Sequence, residues 1–403
     1  MKMTDKMIIQ PARRTASVRE YYFSRKLREI DALNAARQGR GEPRVINLGI
    51  GAPDGMPPQP AIEALVASAR EPGNHAYQSY VGLPALREAF ARWYARYYGV
   101  TLDPSCEIQP LVGSKEGILL ISMAFVDPGD KVLVPDPGYP TYSSASRLVE
   151  AEIIPYDLRE ENGWWPDFDA LERMDLRGVK LMWTNYPHMP TGAKASPQLY
   201  DRLAAFARDH GILVVNDNPY SFILNPEPGS ILAAQGAAGC VLELNSLSKA
   251  HNMSGWRIGM VAGAKELVAE VLKVKSQMDS GMFKPLQLAA VEALSQGPEW
   301  FDDLNREYAR RRVEAGRIFD ALGVRYDAHS AGLFLWGRVP GADDGERSAG
   351  EVLSDRILGE AGVFITPGFI FGKNGRSYLR ISLCARVPVL QEARERIVSN
   401  LHL

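Results

Sequence analysis

Asn245-Ser246-Leu247-Ser248-Lys249-Ala250-His251-Asn252-Met253-Ser254-Gly255-Trp256-Arg257-Ile258-Gly259 joins two short apolar runs, Val241–Leu244 and Ile258–Val261. Such runs read as buried strands, so the segment is a strand–loop–strand connection. The hydroxyls of Ser246 and Ser248 and the guanidinium of Arg257 suit a phosphate dianion. The serines donate hydrogen bonds, and the arginine adds a charge-assisted, bidentate pair. Lys249 then reads as a cofactor lysine flanked by phosphate ligands. An exposed lysine in an ordinary connection is the plain alternative, and the clustered donors favour the cofactor reading.

Outward from this segment the chain alternates. Apolar runs at Lys131–Val134, Glu152–Ile154, Lys180–Trp183 and Ile212–Val215 are separated by helical patterns such as Gln198–His210, and Ala264–Ser276 follows the last run. Continuous apolar strands with helical crossovers imply an α/β fold with a mostly parallel sheet. Upstream, Ser17–Ala36 reads as a helix broken at Gly39-Arg40-Gly41. Val45–Gly51 is then an extended segment ending in a glycine-rich turn, and Pro84–Gly99 a helix. Pro298 opens a long helical stretch closed by Gly323, followed by short strands at Gly332–Gly337, Val363–Ile365 and Tyr378–Ser382. The expected division is a segment 1–50 that joins a small domain, a large cofactor-binding domain 51–297, and a smaller α+β domain 298–403.

Composition sets the bounds. A chain of 403 residues exceeds one hydrophobic core, and 46% apolar with 23% charged residues is ordinary for a soluble enzyme. A net charge of −2 gives no footprint for nucleic acid or an anionic membrane. The longest basic cluster, Arg310–Arg312, reads as a solvated helix face. Cys106, Cys240 and Cys384 are widely spaced, read as small core residues, and point away from a disulfide framework. Met1–Arg14 lacks the apolar region of a signal peptide, so a cytoplasmic location is expected. No metal site is expected.

Ser-x-Ser-Lys, followed eight residues on by Arg-x-Gly, resembles the lysine motif of the fold-type I, class I/II aminotransferases. The resemblance extends over nearly the whole chain, and implies the aspartate-aminotransferase fold with pyridoxal 5'-phosphate as cofactor. Carried over by matching motifs, Lys249 holds the cofactor. Asp217, in Val215-Asn216-Asp217-Asn218-Pro219-Tyr220, pairs with the ring nitrogen, and Tyr220 donates to the phenolic oxygen. A buried carboxylate keeps that nitrogen protonated, which makes the ring an electron sink. Gly113, Ser114 and Lys115 match the phosphate loop before a helix at Ile118–Phe125, where backbone N–H groups and the helix dipole favour anions. Tyr139, in Asp136-Pro137-Gly138-Tyr139-Pro140, matches the aromatic that stacks on the ring. Tyr77, with Tyr80 as fallback, matches the tyrosine that reaches the partner subunit's cofactor phosphate, implying a homodimer with shared sites. Gly51 lies in the loop that meets the substrate carboxylate, and Arg380 matches the arginine that clamps it.

One motif departs. The usual Asn-Pro-x-Asn-Pro-Thr-Gly reads Asn185-Tyr186-Pro187-His188-Met189-Pro190-Thr191-Gly192 here. Met189 stands where an asparagine contacts the phenolic oxygen and the substrate carboxylate, and His188 is the alternative donor. The resemblance implies amino-group transfer from an amino acid to a 2-oxo acid, with neutral Lys249 moving the α-proton. A β-eliminating C–S lyase on the same fold is the alternative. Regulators on this fold carry a preceding DNA-binding module, for which the 16 residues before the first expected helix leave no room. Gly113–Gly117 and Asp279–Phe283 look most like the diaminopimelate-aminotransferase-like branch.

Overall fold

The computed structural model describes residues 9–18, 20–341 and 346–401. Most of Met1–Arg14, including Met7 and Ile8, thus lies outside the described residues, as does Arg19 within the expected first helix. Seven strands form the main sheet: β1 (Ile108–Leu111), β2 (Lys131–Asp136), β3 (Glu152–Asp157), β4 (Val179–Thr184), β5 (Leu213–Asp217), β6 (Val241–Ser246) and β7 (Gly259–Gly263). Their spatial order is β1-β7-β6-β5-β4-β2-β3. The five strands from β6 to β3 are parallel, and β7 runs antiparallel to both β6 and β1. All six apolar runs are strands. β1, interrupted by Gln109 and Pro110, has no such run and went unseen in the sequence.

The sheet is buried on both faces, as continuous apolar strands require. Val132, Leu181, Trp183, Val215 and Leu242 pack into one layer, while Leu133, Met182, Val214 and Val241 pack into the other. At its centre Glu243 is fully buried yet satisfied. It accepts from Tyr94 Oη and Ser230 Oγ, both at 2.8 Å, and from the Ile231 amide at 3.1 Å.

A second sheet, ordered β10-β11-β9-β8, is antiparallel throughout: β8 (Arg325–Tyr326), β9 (Phe334–Arg338), β10 (Thr366–Pro367) and β11 (Tyr378–Ser382). Ile46–Asn47 pairs in parallel with Val363–Phe364, which ties the early chain to this part of the molecule. Register places Trp336 opposite Arg380.

Several expectations need correction. The first long helix spans Tyr22–Gly39 and not Ser17–Ala36, because Tyr21 takes an extended backbone and Arg13–Ala16 forms a separate turn. The helix expected at Ile118 already begins at Ser114. Arg310–Arg312 is no uniformly solvated face: Arg311 is buried, bonding Asp54 at 2.7 Å, Glu307 at 2.9 Å and the Leu383 carbonyl. All three cysteines are free, but only Cys384 is a core residue, Cys106 and Cys240 being half-buried. Among the described residues no helix is long and apolar enough to cross a membrane.

Lys275 has a fully buried side chain and bonds both Glu116 (3.2 Å) and Asp279 (2.5 Å). Glu116 in turn accepts from the Val112 amide, which sets the loop before Gly113. Breaking a buried ion pair costs roughly 3–5 kcal/mol, less where the abandoned partner can rehydrate as these acids can. Lys275→Met should therefore destabilise the protein by about 2–3 kcal/mol, measured as a lowered unfolding midpoint. An unchanged midpoint would contradict this account.

Candidate active site

Parallel strands all deliver their C-terminal ends to one edge, where an open α/β sheet forms its crevice. β2 leads to Tyr139, β4 to Asn185 and Met189, β5 ends on Asp217 just before Tyr220, and β6 ends on Ser246 just before Ser248 and Lys249. The second sheet closes the crevice with Phe334 and Arg380, and the early chain adds Tyr21, Phe23 and the Gly49–Ala52 loop. Together they enclose a cavity of about 450 Å³. Of the sequence-derived candidates, Gly51, Ser114, Lys115, Tyr139, Asp217, Tyr220, Ser246, Ser248, Lys249, Arg257 and Arg380 all line it.

Lys249 sits on a short helical turn, Leu247–Ala250, capped by Ser246 Oγ accepting from the Ser248 amide. Its Nζ donates to the Gly51 carbonyl at 2.7 Å. Burial, and then the nearby Arg257 and Arg380, push its pKa below the ordinary lysine value, although Cys384 and Asp217 oppose the shift. The amine is accordingly less basic than that of an ordinary lysine.

At one end of the cavity, Ser246 and Ser248 hydroxyls are 2.8 Å apart, and Arg257 Nη1 donates to Ser248 Oγ and to the Ser254 carbonyl. Arg257 holds a left-handed backbone, φ +56°. Gly113, at φ +77° before the helix starting at Ser114, lies outside the lining but packs on this guanidinium. A Cβ there would stand 2.2 Å from Arg257 Nη2. The motif glycine thus keeps room for the arginine.

Deeper in, Asp217 is buried, and burial raises its carboxyl to about 7, although the Tyr142 hydrogen bond opposes the shift. Tyr142 Oη donates to Oδ2 at 3.0 Å, while its ring stacks on Trp183. Oδ1 accepts no hydrogen bond among the described residues. A buried, unpaired carboxylate oxygen is costly unless a donor is brought to it. A protonated ring nitrogen is such a donor, so the residues present fit pyridoxal 5'-phosphate: a lysine, a hydroxyl–guanidinium anion site, and a carboxylate awaiting a cation.

Arg380, on β11, is buried, and among the described residues no carboxylate pairs with it. Nη2 donates to the Gly49 carbonyl at 2.8 Å, Nη1 faces Met189 Sδ at 3.3 Å, and Nε has no partner among the described residues. Phe334 lies 3.8 Å from the guanidinium by ring centroid, Phe371 4.6 Å and Phe23 5.5 Å. This is not a structural salt bridge.

Met189 faces the cavity as placed from its motif. His188 does not line it, and its Nδ1 is paired with Thr191 Oγ1 at 2.8 Å inside the turn. Tyr77 stands apart, 90% exposed and away from its own chain's cavity, and Tyr80 is also exposed. Sequence reasoning missed Tyr21, Phe23, Tyr142, Asn185, Phe334 and Phe371. Two had signals: Tyr142 follows Tyr139 by one helical turn, and Asn185 follows the end of β4.

A lysine, a phosphate site and a buried carboxylate in one crevice define a pyridoxal-phosphate enzyme. Residues 43–397 match the family of class I and II aminotransferases. LL-diaminopimelate aminotransferase of Oleidesulfovibrio alaskensis is 41% identical over 96% of this chain and 98% of that protein. The enzyme of the same name from Aquifex aeolicus is 40% identical over 89% and 92%. Among solved structures, substrate-bound BacF of Bacillus subtilis superposes with a TM-score of 0.89 at 34% identity, covering 98% of both chains. Aspartate aminotransferase of Thermotoga maritima gives 0.85 at 25% identity, covering 96% and 99%. The chain belongs to the class I and II aminotransferases and has the aspartate-aminotransferase fold. It is a pyridoxal-phosphate-dependent aminotransferase, and the β-eliminating alternative draws no support from these matches.

Without cofactor, folded Asp217 titrates near 7 and unfolded Asp near 3.9. The folded state keeps a proton that the unfolded state releases between those values. This group therefore costs stability increasingly as pH rises from about 4 to about 7, on the order of 4 kcal/mol in all. Cofactor-free Asp217→Asn should gain thermal stability over cofactor-free wild type as pH goes from 5 to 7.5. A gap independent of pH would show that Asp217 is not held in this way.

Proposed function

We propose that this cavity moves an amino group between an L-amino acid and a 2-oxo acid with the following division of labour. Ser246, Ser248 and Arg257 hold the cofactor phosphate, helped by the Gly113–Ser114 helix start and Lys115. Asp217, oriented by Tyr142, would pair with the ring nitrogen, Tyr220 would donate to the phenolic oxygen, and Tyr139 would lie against the ring. When bound, pyridoxal phosphate supplies an aldehyde that links to amines and a ring that accepts the electron pair left by α-proton removal. Lys249 would hold the cofactor, and its free amine would take the α-proton and return it. Lowered basicity from burial and two neighbouring guanidiniums supports that role. Arg380 binds the substrate α-carboxylate through Nε and Nη1, beside the Gly49–Gly51 loop. The single observation that carries this reading is a buried lysine and a buried guanidinium facing one cavity with a carboxylate oxygen, none of the three ion-paired among the described residues.

The protein works, on this reading, as a homodimer with composite sites, Tyr77 of one protomer reaching the phosphate held by the other. Supporting this, Tyr77 and Met56 are 90% and 72% exposed. The Tyr77 stretch is also packed on the Asp279–Phe283 loop, where His75 meets Phe283 and a Cβ on Gly281 would strike the Gln78 carbonyl. A division into 1–50, 51–297 and 298–403 is supported by the seven-stranded sheet lying within 108–263 and the four-stranded sheet within 325–382, and a cytoplasmic location suits the free cysteines. Diaminopimelate, named for the relatives, is the reference donor for any substrate survey.

Arg380→Ala should lower kcat/KM for amino acids by about 2–5 kcal/mol in transition-state terms, while cofactor affinity changes little. Equal losses of cofactor and substrate binding would refute the assignment. For the dimer, Lys249→Ala mixed with Tyr77→Ala should regain activity through hybrid sites. Failure to complement, with the protein a fully active monomer at high dilution, would refute shared sites.

A further inference from the structure

We infer that Glu243, an ionised carboxylate buried within the main sheet, is a positioning residue of the cofactor site. A hydrogen-bonded chain through it ties together the ends of the three strands that lead to Asn185, Asp217 and Ser246, and its charge favours a cation beside Asp217. This rests on the cofactor reading of the same cavity.

Glu243 is fully buried on β6, in register with Asn216, the residue before Asp217 on β5. Four donors converge on it: Tyr94 Oη and Ser230 Oγ at 2.8 Å, the Ile231 amide at 3.1 Å and Asn216 Nδ2 at 3.3 Å. All four are neutral groups, and no lysine or arginine pairs with Glu243 among the described residues. Tyr94 Oη already accepts from Asn245 Nδ2, and Ser230 Oγ from the Leu232 amide, which leaves both hydroxyls to donate toward Glu243. Such a set suits a carboxylate and offers no acceptor for the proton of a neutral acid. A negative charge held out of water without a cation is costly, and a core position without a task is served as well by an apolar residue.

From Glu243 the chain runs both ways. On one side Asn216 Oδ1 accepts from the Tyr186 amide at 3.0 Å and from Thr184 Oγ1 at 3.2 Å, fixing the two residues that flank Asn185. On the other, Tyr94 leads to Asn245, whose Oδ1 accepts from the Ser246 amide at 2.8 Å. Asn185 closes the frame by donating to the Asp217 carbonyl. Asn216 and Asn245 thus each stand next to a residue that lines the cavity, Asp217 and Ser246. The charge acts on Asp217 as well. Burial raises that carboxyl most and Glu243 adds to the rise, while Tyr142, Lys249 and Ser114 oppose it. The other titratable groups facing Glu243 are phenols that burial keeps neutral: Tyr94 and Tyr98 from the helix Pro84–Tyr98, and Tyr200 from the helix Pro197–His210. A second negative charge behind Asp217 strengthens the pull of this end of the cavity on a cation.

The test uses the full-length protein and two readouts. Cofactor affinity is measured by adding pyridoxal phosphate to the cofactor-free enzyme, and the Asp217 titration is read from its unfolding midpoints with and without Asp217→Asn. Affinity should fall about tenfold in Glu243→Gln, the scale of one lost hydrogen bond to a charged group. Removing the charge makes Asp217 easier to ionise, so its folded pKa moves down from about 7. The Asp217→Asn advantage grows with pH up to that value. Combined with Glu243→Gln it should level off roughly one pH unit lower, the order of one charge acting across a protein interior. Tyr94→Phe severs the chain and keeps the charge, so it should weaken affinity and leave that pH in place. Weaker affinity with an unmoved titration in Glu243→Gln would leave only a structural brace and overturn the proposal, as would unchanged affinity. Should Glu243→Gln not fold, Tyr94→Phe decides, because unchanged affinity there would overturn the proposal. Failure of the wild type itself to bind pyridoxal phosphate would sink the cofactor reading, and the proposal with it.

Discussion

Two carbonyls of one short loop accept hydrogen bonds from the amine and the guanidinium of the reacting end. Gly51 accepts from Lys249 Nζ at 2.7 Å, and Gly49 accepts from Arg380 Nη2 at 2.8 Å. Lys249 comes from the main sheet, Arg380 from the second sheet, and the loop follows the Ile46–Asn47 strand. Three parts of the chain therefore meet at a single polar junction. Backbone carbonyls can satisfy a buried donor without forming an ion pair, so the guanidinium stays available for a substrate carboxylate and the amine for the cofactor. Had carboxylates occupied those places, the cavity would be a stable ion-pair cluster with nothing to offer an amino acid.

Burial does the electrostatic work around that junction. It lowers the pKa of Lys249, raises that of Asp217, and leaves Arg380 with an unpaired Nε. Each change disfavours the charged form of an isolated group, and each is reversed by an incoming partner of opposite charge. The cofactor's ring nitrogen and the substrate's carboxylate are such partners. The aromatic rings around Arg380 hold its position without competing for its hydrogen bonds.

Much of this was legible in the sequence for physical reasons. Strands buried on both faces must be apolar throughout, so β2 to β7 announced themselves, whereas β1 carries Gln109 and Pro110 and did not. Chemistry confined to strand ends keeps its residues near one another in sequence, which is why Ser246, Ser248, Lys249 and Arg257 could be read together. Tyr21, Phe23, Phe334 and Phe371 could not, since an aromatic that braces a guanidinium looks like any core aromatic until distant segments meet. Arg311 failed for the opposite reason. Its partner Asp54 is 257 residues away, and nothing local separates it from its solvated neighbour Arg310.

Everything in this account turns on one nitrogen. The holoenzyme, treated with borohydride and digested, should yield one cofactor-bearing peptide, with the modification on Lys249. Label on any other lysine, or a holoenzyme from which the cofactor washes away after reduction, would contradict the account.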